Sequence, residues 1–407
     1  MLAKKHDNKV PLDAKSGELG ARPQKDMPAS NSTWQALALR PIALQRKLVD
    51  NQSGDTYEQE VKDSKFDDDL ASKIRDKLKK KYSGKAVEEM MEIEGQLVAA
   101  QVVTSSEDLD QIVLEIEMRW LLVETMRQVD KYFKAGRFKF PDRNTGYMIS
   151  RSFWTPLSPA LQSGGGTALA GEHGATRNIF RPDYQLLGIE STAAQAVDAI
   201  FAATMNNPIV LDCNAMMVAV QYRAMKEAFG SKKFNQMFPE DRQGLMIGPV
   251  SDPEQQTYPD YKSSKEEGTK NHPFLALGLY TETAYAPGSF TQEKAQKDLI
   301  KGDWVYFRNH ESYKVYAPNG MWQGEHAMYV GNGKFMGAGM AKAAGEESNF
   351  TYDEVLDELQ RQYDLVYESR KDKKNPKPKS TKAELPGIVA RLVPKISALE
   401  KLPKVTK

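Results

Sequence analysis

Asn207-Pro-Ile-Val-Leu-Asp-Cys-Asn-Ala-Met-Met-Val-Ala-Val-Gln221 is the stretch from which the rest of this chain is best understood. Pro208 and the run Ile209 to Leu211 form an extended approach segment. The apolar positions Cys213, Met216, Met217, Val220, Ala224 and Ala228 then fall at i, i+3, i+4, i+7, i+11 and i+15, the spacing of one helix face. Asp212 stands where an N-cap belongs, and Gly230 where a helix stops. The spacing therefore predicts a helix that opens at Cys213, the only cysteine in the chain. A thiol in a first helical turn faces unpaired backbone N–H groups and the positive end of the helix dipole, and both favour the thiolate. The same residue also fits a buried structural cysteine on an apolar stripe. This stretch alone does not separate the two.

Composition narrows the field. A chain of 407 residues allows two or three domains, and 40% hydrophobic with 27% charged residues suits a soluble protein with a sizeable core. The formal net charge of +1 gives no case for nucleic-acid binding. One cysteine excludes a disulfide framework and any multi-cysteine metal site. His6, His173, His272, His310 and His326 show no metal-ligand spacing, so neither a metal nor an organic cofactor is expected. No apolar run approaches a membrane span, and Met1 to Val10 lacks the apolar core of a secretory signal.

Along the chain, residues 1–65 are rich in Lys, Asp, Ser, Pro and Gln, the composition of a disordered leader or docking segment. Residues 66–104 form a helical linker, with one helix from Asp67 through the basic cluster Lys77 to Lys81 and another over Val87 to Val103. Residues 105–365 form the main unit. It opens with a helix from Asp108 to Lys134, started by the capping-box spacing Ser105 to Asp108 and striped by Ile112, Ile116, Met118, Leu122, Met126 and Val129. Strand and turn follow over Phe138 to Leu157. The Gly-rich stretch Gly164 to Gly174 lacks the Gly-Lys-Ser/Thr ending of a phosphate loop and suits a surface insertion. A helix from Thr192 to about Met205 leads into the Cys213 segment, and Ser251 to Pro273 is a polar loop. Three strands are predicted at Lys301–Phe307, Trp322–Val330 and Lys334–Met336, the last two joined by the turn Gly331-Asn-Gly333. Thr351 to Glu354 caps a last helix to about Asp364, and residues 366–407 look like a basic, Lys- and Pro-rich tail.

Helices, a cysteine-bearing helix and then a hairpin set make an α+β order. It is the order of papain-like enzymes, in which a nucleophile on a helix N-terminus faces a base carried by a strand. In Glu325-His-Ala-Met-Tyr-Val330, alternation puts residues 325, 327 and 329 on one face and 326, 328 and 330 on the other. Only one of Glu325 and His326 can then point at the thiol. By chemistry alone His326 is the obvious partner, because imidazole titrates near neutrality.

The segment Leu211-Asp-Cys-Asn-Ala-Met-Met-Val218, followed by Phe229-Gly-Ser-Lys-Lys-Phe-Asn-Gln-Met-Phe238, resembles the active-site helix of the bacterial spore-coat transglutaminase family. Lys301-Gly-Asp-Trp-Val-Tyr-Phe-Arg-Asn309 with Trp322-Gln-Gly-Glu325 resembles its second block, and Asn144-Thr-Gly-Tyr147, Phe153-Trp154 and Ser158-Pro159 a looser third. The resemblance runs from about residue 110 to 345. Tyr329-Val-Gly-Asn-Gly-Lys-Phe335 is similar to the NlpC/P60 papain-like hydrolases, whose histidine aligns with Glu325. The resemblance implies a papain-like (NlpC/P60-like) core with extra N-terminal helices, Cys213 as nucleophile, Glu325 in the hydrolases' histidine position, Asp212 as a second acid and Trp322 lining a substrate tunnel. The family has a histidine soon after the second hairpin strand, where this chain has Phe335-Met-Gly-Ala338, so no third catalytic histidine carries over.

The expected activity is acyl transfer on protein glutamine side chains, giving Gln–Lys isopeptide crosslinks, or deamidation with water. Its partners would be proteins with accessible Gln and Lys. The alternatives are a cysteine peptidase or amidase using Cys213 and His326, and a non-enzymatic structural or carrier protein. Leu44-Gln-Arg-Lys-Leu48 and Gly54-Asp-Thr-Tyr-Glu-Gln-Glu60 resemble the opening of cargo proteins of bacterial contractile injection systems. That likeness implies a protein made in the bacterial cytoplasm, loaded into an injection particle through its N-terminal segment and delivered to a target cell as an effector or toxin.

Overall fold

Side chains that alternate between two covered faces of the hairpin strands fix the layering. The computed structural model describes residues 68–99, 109–140, 147–148, 154–156, 167–168, 180–182, 192–238, 245, 247, 280–317, 322–343, 345–370 and 379–394. The helices are α1 (Asp68–Lys79), α2 (Lys85–Ala99), α3 (Leu109–Lys134), α4 (Ala193–Phe201), α5 (Cys213–Met237), α6 (Gln292–Asp298), α7 (Tyr313–Tyr316) and α8 (Tyr352–Arg370). Short strands β1 (Phe138–Lys139), β2 (Tyr147–Met148), β3 (Trp154–Pro156), β4 (Thr167–Ala168), β5 (Phe180–Pro182) and β6 (Ile209–Val210) precede the main sheet. That sheet holds β7 (Tyr280–Ala284), β8 (Trp304–Arg308), β9 (Gly324–Gly331), β10 (Lys334–Gly337), β11 (Phe350–Thr351) and β12 (Gly387–Pro394). Its order is β11-β10-β9-β8-β12-β7, antiparallel throughout.

One face of the sheet presents Trp304, Met328, Val330 and Met336 to α3 and α5, where Met118, Leu122, Met126, Met216, Met217 and Val220 complete a core. The other face presents Val305, Phe307, Ala327, Tyr329 and Phe335 to Val355, Leu356 and Leu359 of α8. The period of two in each strand thus feeds two separate helical layers. The hairpin turn is tight because Asn332 and Gly333 both take positive φ, at 53° and 66°. α1 and α2 pack on the start of α3 through Ile74, Leu78, Met90, Ile93, Ile112 and Ile116.

Two expectations need correction, the C-terminal tail and the end of the helix before Cys213. The C-terminal region is no simple tail: α8 continues to Arg370, and β12 lies inside the sheet between β7 and β8. The surrounding lysines and prolines mask a short run, Gly387-Ile-Val-Ala-Arg-Leu-Val-Pro394, whose Ile388 and Leu392 are buried. Gly230 does end the cysteine helix, as its position predicts, but a second helical segment follows at once. The chain kinks there, with φ 74°, and turns helically again to Met237, so that Phe234 and Phe238 reach Tyr222. The helix before it ends at Phe201 rather than Met205, although its Thr192–Gln195 capping box is formed. Residues 1–65, the Gly164–Gly174 insertion apart from Thr167–Ala168, and the Ser251–Pro273 loop lie outside the described residues.

The Gly302-Asp303 pair has a structural task. Asp303 is fully buried and accepts from Arg119 of α3 at 2.9 Å and from the Ile300 N–H at 2.8 Å, and it pairs with Arg391 of β12. Gly302 has φ +90°, and a Cβ there would lie 3.0 Å from the Arg119 backbone. Burial alone would raise the Asp303 pKa. The Arg391 and Arg119 guanidiniums and the Ile300 N–H outweigh it and hold the carboxyl below 3.8. Asp303→Ala leaves two buried guanidiniums without their shared counter-charge and is expected to lose about 3–5 kcal/mol, read by urea unfolding. The wild-type contribution is present above pH 3.8 and is lost as acid titrates the carboxyl through its lower folded pKa.

Candidate active site

β6 delivers the chain to α5, and Asp212 caps that helix by accepting the Ala215 N–H at 2.7 Å. Cys213 is the first helical residue and is 6% exposed. The backbone N–H groups of Asn214 and His326 hydrogen-bond its sulfur and favour the thiolate. Burial, then the negative charges of Glu325 and Asp212, outweigh them and push the thiol well above its usual pKa. At rest the thiol is therefore protonated. A proton acceptor beside it is a chemical requirement for nucleophilic attack.

Glu325 is that neighbour. Its side chain is fully buried, and Oε1 accepts the Gly339 N–H at 3.0 Å. Oε2 has no hydrogen-bond partner among the described residues. Burial raises the carboxyl to about 8. The Gly339 N–H and the nearby thiol lower it, and the charges of Asp212 and Glu358 raise it further. A carboxyl poised near neutrality can both take the thiol proton and return it.

His326 is placed differently. Its Nδ1 accepts the Trp304 indole N–H at 3.0 Å, and its ring packs on Tyr306 with centroids 4.5 Å apart. Burial pushes the imidazole down to about 3, so it is neutral and a poor proton acceptor. The indole donates only, which assigns the imidazole proton to Nε2. Strand alternation did not decide between the two residues, for a geometrical reason. β10 leaves the β9 ladder at Gly337, which pairs with Ala327. The His326 N–H turns to the sulfur instead. The thiol thus meets the Glu325 carboxyl and the His326 backbone, while the His326 ring lies on Trp304 and Tyr306.

Trp322 stacks on Phe140 with centroids 6.1 Å apart and 29° between the planes. Its backbone is held by Asn309, whose Nδ2 donates to the Trp322 carbonyl at 2.8 Å, and by Tyr313, whose hydroxyl accepts the Trp322 N–H at 3.3 Å. Glu325 thus lies beside Cys213 and within reach of the Asp212 charge, and Gly339 joins it to Trp322. Sequence reasoning passed over Phe140 and Gly339. Gly339 was legible: extending the hairpin two residues beyond Gly337 lays it opposite Glu325. Phe140 left no signal, since it joins the site only through the parallel β1–β6 pairing. Among the described residues no group of three or more His, Cys, Asp or Glu could hold a metal ion.

Residues 180–366 match the family model described as protein-glutamine gamma-glutamyltransferase. Over those residues, less than half of the chain, it is similar to a bacterial transglutaminase-type domain. The matched residues include Cys213, Glu325 and Gly339. The protein-glutamine gamma-glutamyltransferases of Bacillus mycoides (strain KBAB4) and Bacillus cereus (strain G9842) are each 37% identical over 89 residues. Those residues are 22% of this chain and 31% of either relative, so the match spans less than a third of the relatives' length. A solved structure, the transglutaminase from Geobacillus stearothermophilus without its C-terminal extension, aligns at a TM-score of 0.40. It is 17% identical, over 74% of this chain and 100% of that one.

Proposed function

We propose that this protein transfers the acyl group of protein glutamine side chains through a thioester on Cys213. The observation that carries the reading is the fully buried Glu325 carboxyl, held near a pKa of about 8 beside a thiol on a helix N-terminus. In the first half-reaction the Cys213 sulfur attacks the carboxamide carbon and Glu325 takes the thiol proton. The carbon–nitrogen bond then breaks, Glu325 returns that proton to the nitrogen, and ammonia leaves. In the second, a lysine amine or water attacks the thioester, Glu325 accepts a proton from the attacking atom, and the thiolate recovers it. Asp212, whose charge reaches both Cys213 and Glu325, favours an incoming ammonium group.

The test uses a glutamine peptide with and without a primary amine, followed by ammonia release and mass spectrometry. Amine incorporation, or conversion of glutamine to glutamate without amine, is expected, and His326→Ala is expected to retain it. Backbone cleavage that needs His326 would overturn the reading in favour of a peptidase. The second part of the proposal is delivery as an effector through residues 1–65. It is supported only by the likeness of Leu44–Leu48 and Gly54–Glu60 to injection-system cargo. A reporter fused to residues 1–65 and left outside the particles would sink it.

A further inference from the structure

Gly339 occupies an unusual point in this site. Its N–H binds one oxygen of Glu325, at 3.0 Å, and its α-carbon faces the other. A Cβ at this position would lie 2.9 Å from Glu325 Oε2, 3.2 Å from Trp322 Cη2 and 3.4 Å from Phe140 Cε2. Three groups that belong to the sheet, to the loop before it and to the end of β1 thus converge where a side chain would begin. Gly337 is packed as closely, since a Cβ there would be 2.4 Å from Glu325 Oε1. The carboxyl is therefore clamped by two glycines, with Oε2 buried and unpartnered.

We propose that Gly339 is a positioning residue for acyl transfer. Its N–H fixes Glu325 Oε1, and its missing side chain lets Oε2 meet the reacting nitrogen between Trp322 and Phe140. A buried carboxyl oxygen without a partner costs free energy until a donor arrives, and an N–H of the departing amide or entering amine supplies one. The stacked rings beside it take apolar methylenes. The chemical class selected is an unbranched primary amine, a nitrogen on a straight alkyl stem such as a lysine side chain. Branching next to the nitrogen puts a methyl group where the Gly339 Cβ is excluded.

The inference rests on the acyl-transfer reading, and its test has one arm that needs no turnover. Cys213 is the only cysteine, so its alkylation by iodoacetamide can be followed by mass as a function of pH. Gly339→Ala displaces Glu325 and is expected to shift that pH profile, while circular dichroism stays as in wild type. The same variant is expected to lower kcat for a linear primary amine with a smaller change in KM, and to lower kcat/KM by about 100-fold, as misplacement by about an ångström does. On the wild-type protein a linear amine should outpace its α-methyl-branched isomer, an arm that stands even if Gly339→Ala does not fold. An unchanged alkylation profile with unchanged amine kinetics in folded Gly339→Ala would overturn the inference, as would equal rates for the two amines. A wild-type protein that transfers no acyl group, with a shifted alkylation profile in Gly339→Ala, overturns the proposed function and leaves the positioning of Glu325 standing.

Discussion

Cys213→Ala is expected to abolish amine incorporation and ammonia release together, with kcat falling by about 10⁶, the scale on which removal of a covalent nucleophile is felt. The fold should survive. The side chain shrinks by one sulfur at a site bounded by the α5 N-cap and the β9 edge, and the Asp212–Ala215 cap remains. Removing the thiol also removes one of the groups that lower the Glu325 pKa, so the carboxyl should titrate higher in the variant. Because thiol and carboxyl act as one proton-sharing unit, the double variant Cys213→Ala with Glu325→Gln should be no slower than Cys213→Ala alone. A residual rate within about tenfold of wild type would mean that the cysteine is core and nothing more. Ammonia release and covalent capture of a glutamine peptide, followed by mass, measure both outcomes.

The architecture was legible wherever periodicity ran unbroken. The α3 stripe from Ile112 to Val129 is buried residue for residue as its spacing requires. The Asn332-Gly333 turn gave the β9–β10 hairpin and its register. β12 was not legible because its eight residues stand among lysines and prolines, and local composition outweighed a short alternation. What places β12 is non-local: Arg391 must reach Asp303, 88 positions earlier, the same carboxylate that Arg119 holds. Gly230 was legible as the end of the cysteine helix. The helical segment beyond it was not, because Phe234 and Phe238 bury against Tyr222 and hold it there. At the site, residue types and order pointed to Cys213 and to the Glu325–His326 pair. Which of the two reaches the sulfur depends on where β10 stops pairing, and that is a property of the assembled sheet.

Glu325→Gln carries the second large effect, and it acts in opposite directions on rate and stability. The active form of the thiol–carboxyl pair holds one proton, which leaves sulfur free to attack and keeps an acid for the departing nitrogen. Wild-type activity should therefore rise with pH through about 8, the value to which burial lifts Glu325, as a macroscopic property of the pair. Glutamine cannot ionise. That limb should vanish, the residual rate should follow the thiol's own higher pKa, and kcat/KM near neutrality should fall by about 10²–10⁴. The stability change has the other sign. A buried carboxyl whose pKa rises from 4.5 to about 8 on folding supports the fold fully below pH 4.5 and loses that support as pH climbs to about 8. Above that value the native protein carries a buried charge that the unfolded chain carries in water. Glutamine keeps an oxygen for the Gly339 N–H and carries no charge, so the variant should melt higher than wild type by an amount that grows from pH 4.5 to about 8 and then levels off. Melting curves across that range, set beside pH–rate profiles, separate a carboxyl poised for proton transfer from one that is only packed. A rate that falls without the gain in melting temperature would mean that Glu325 is ionised and paired in the resting protein.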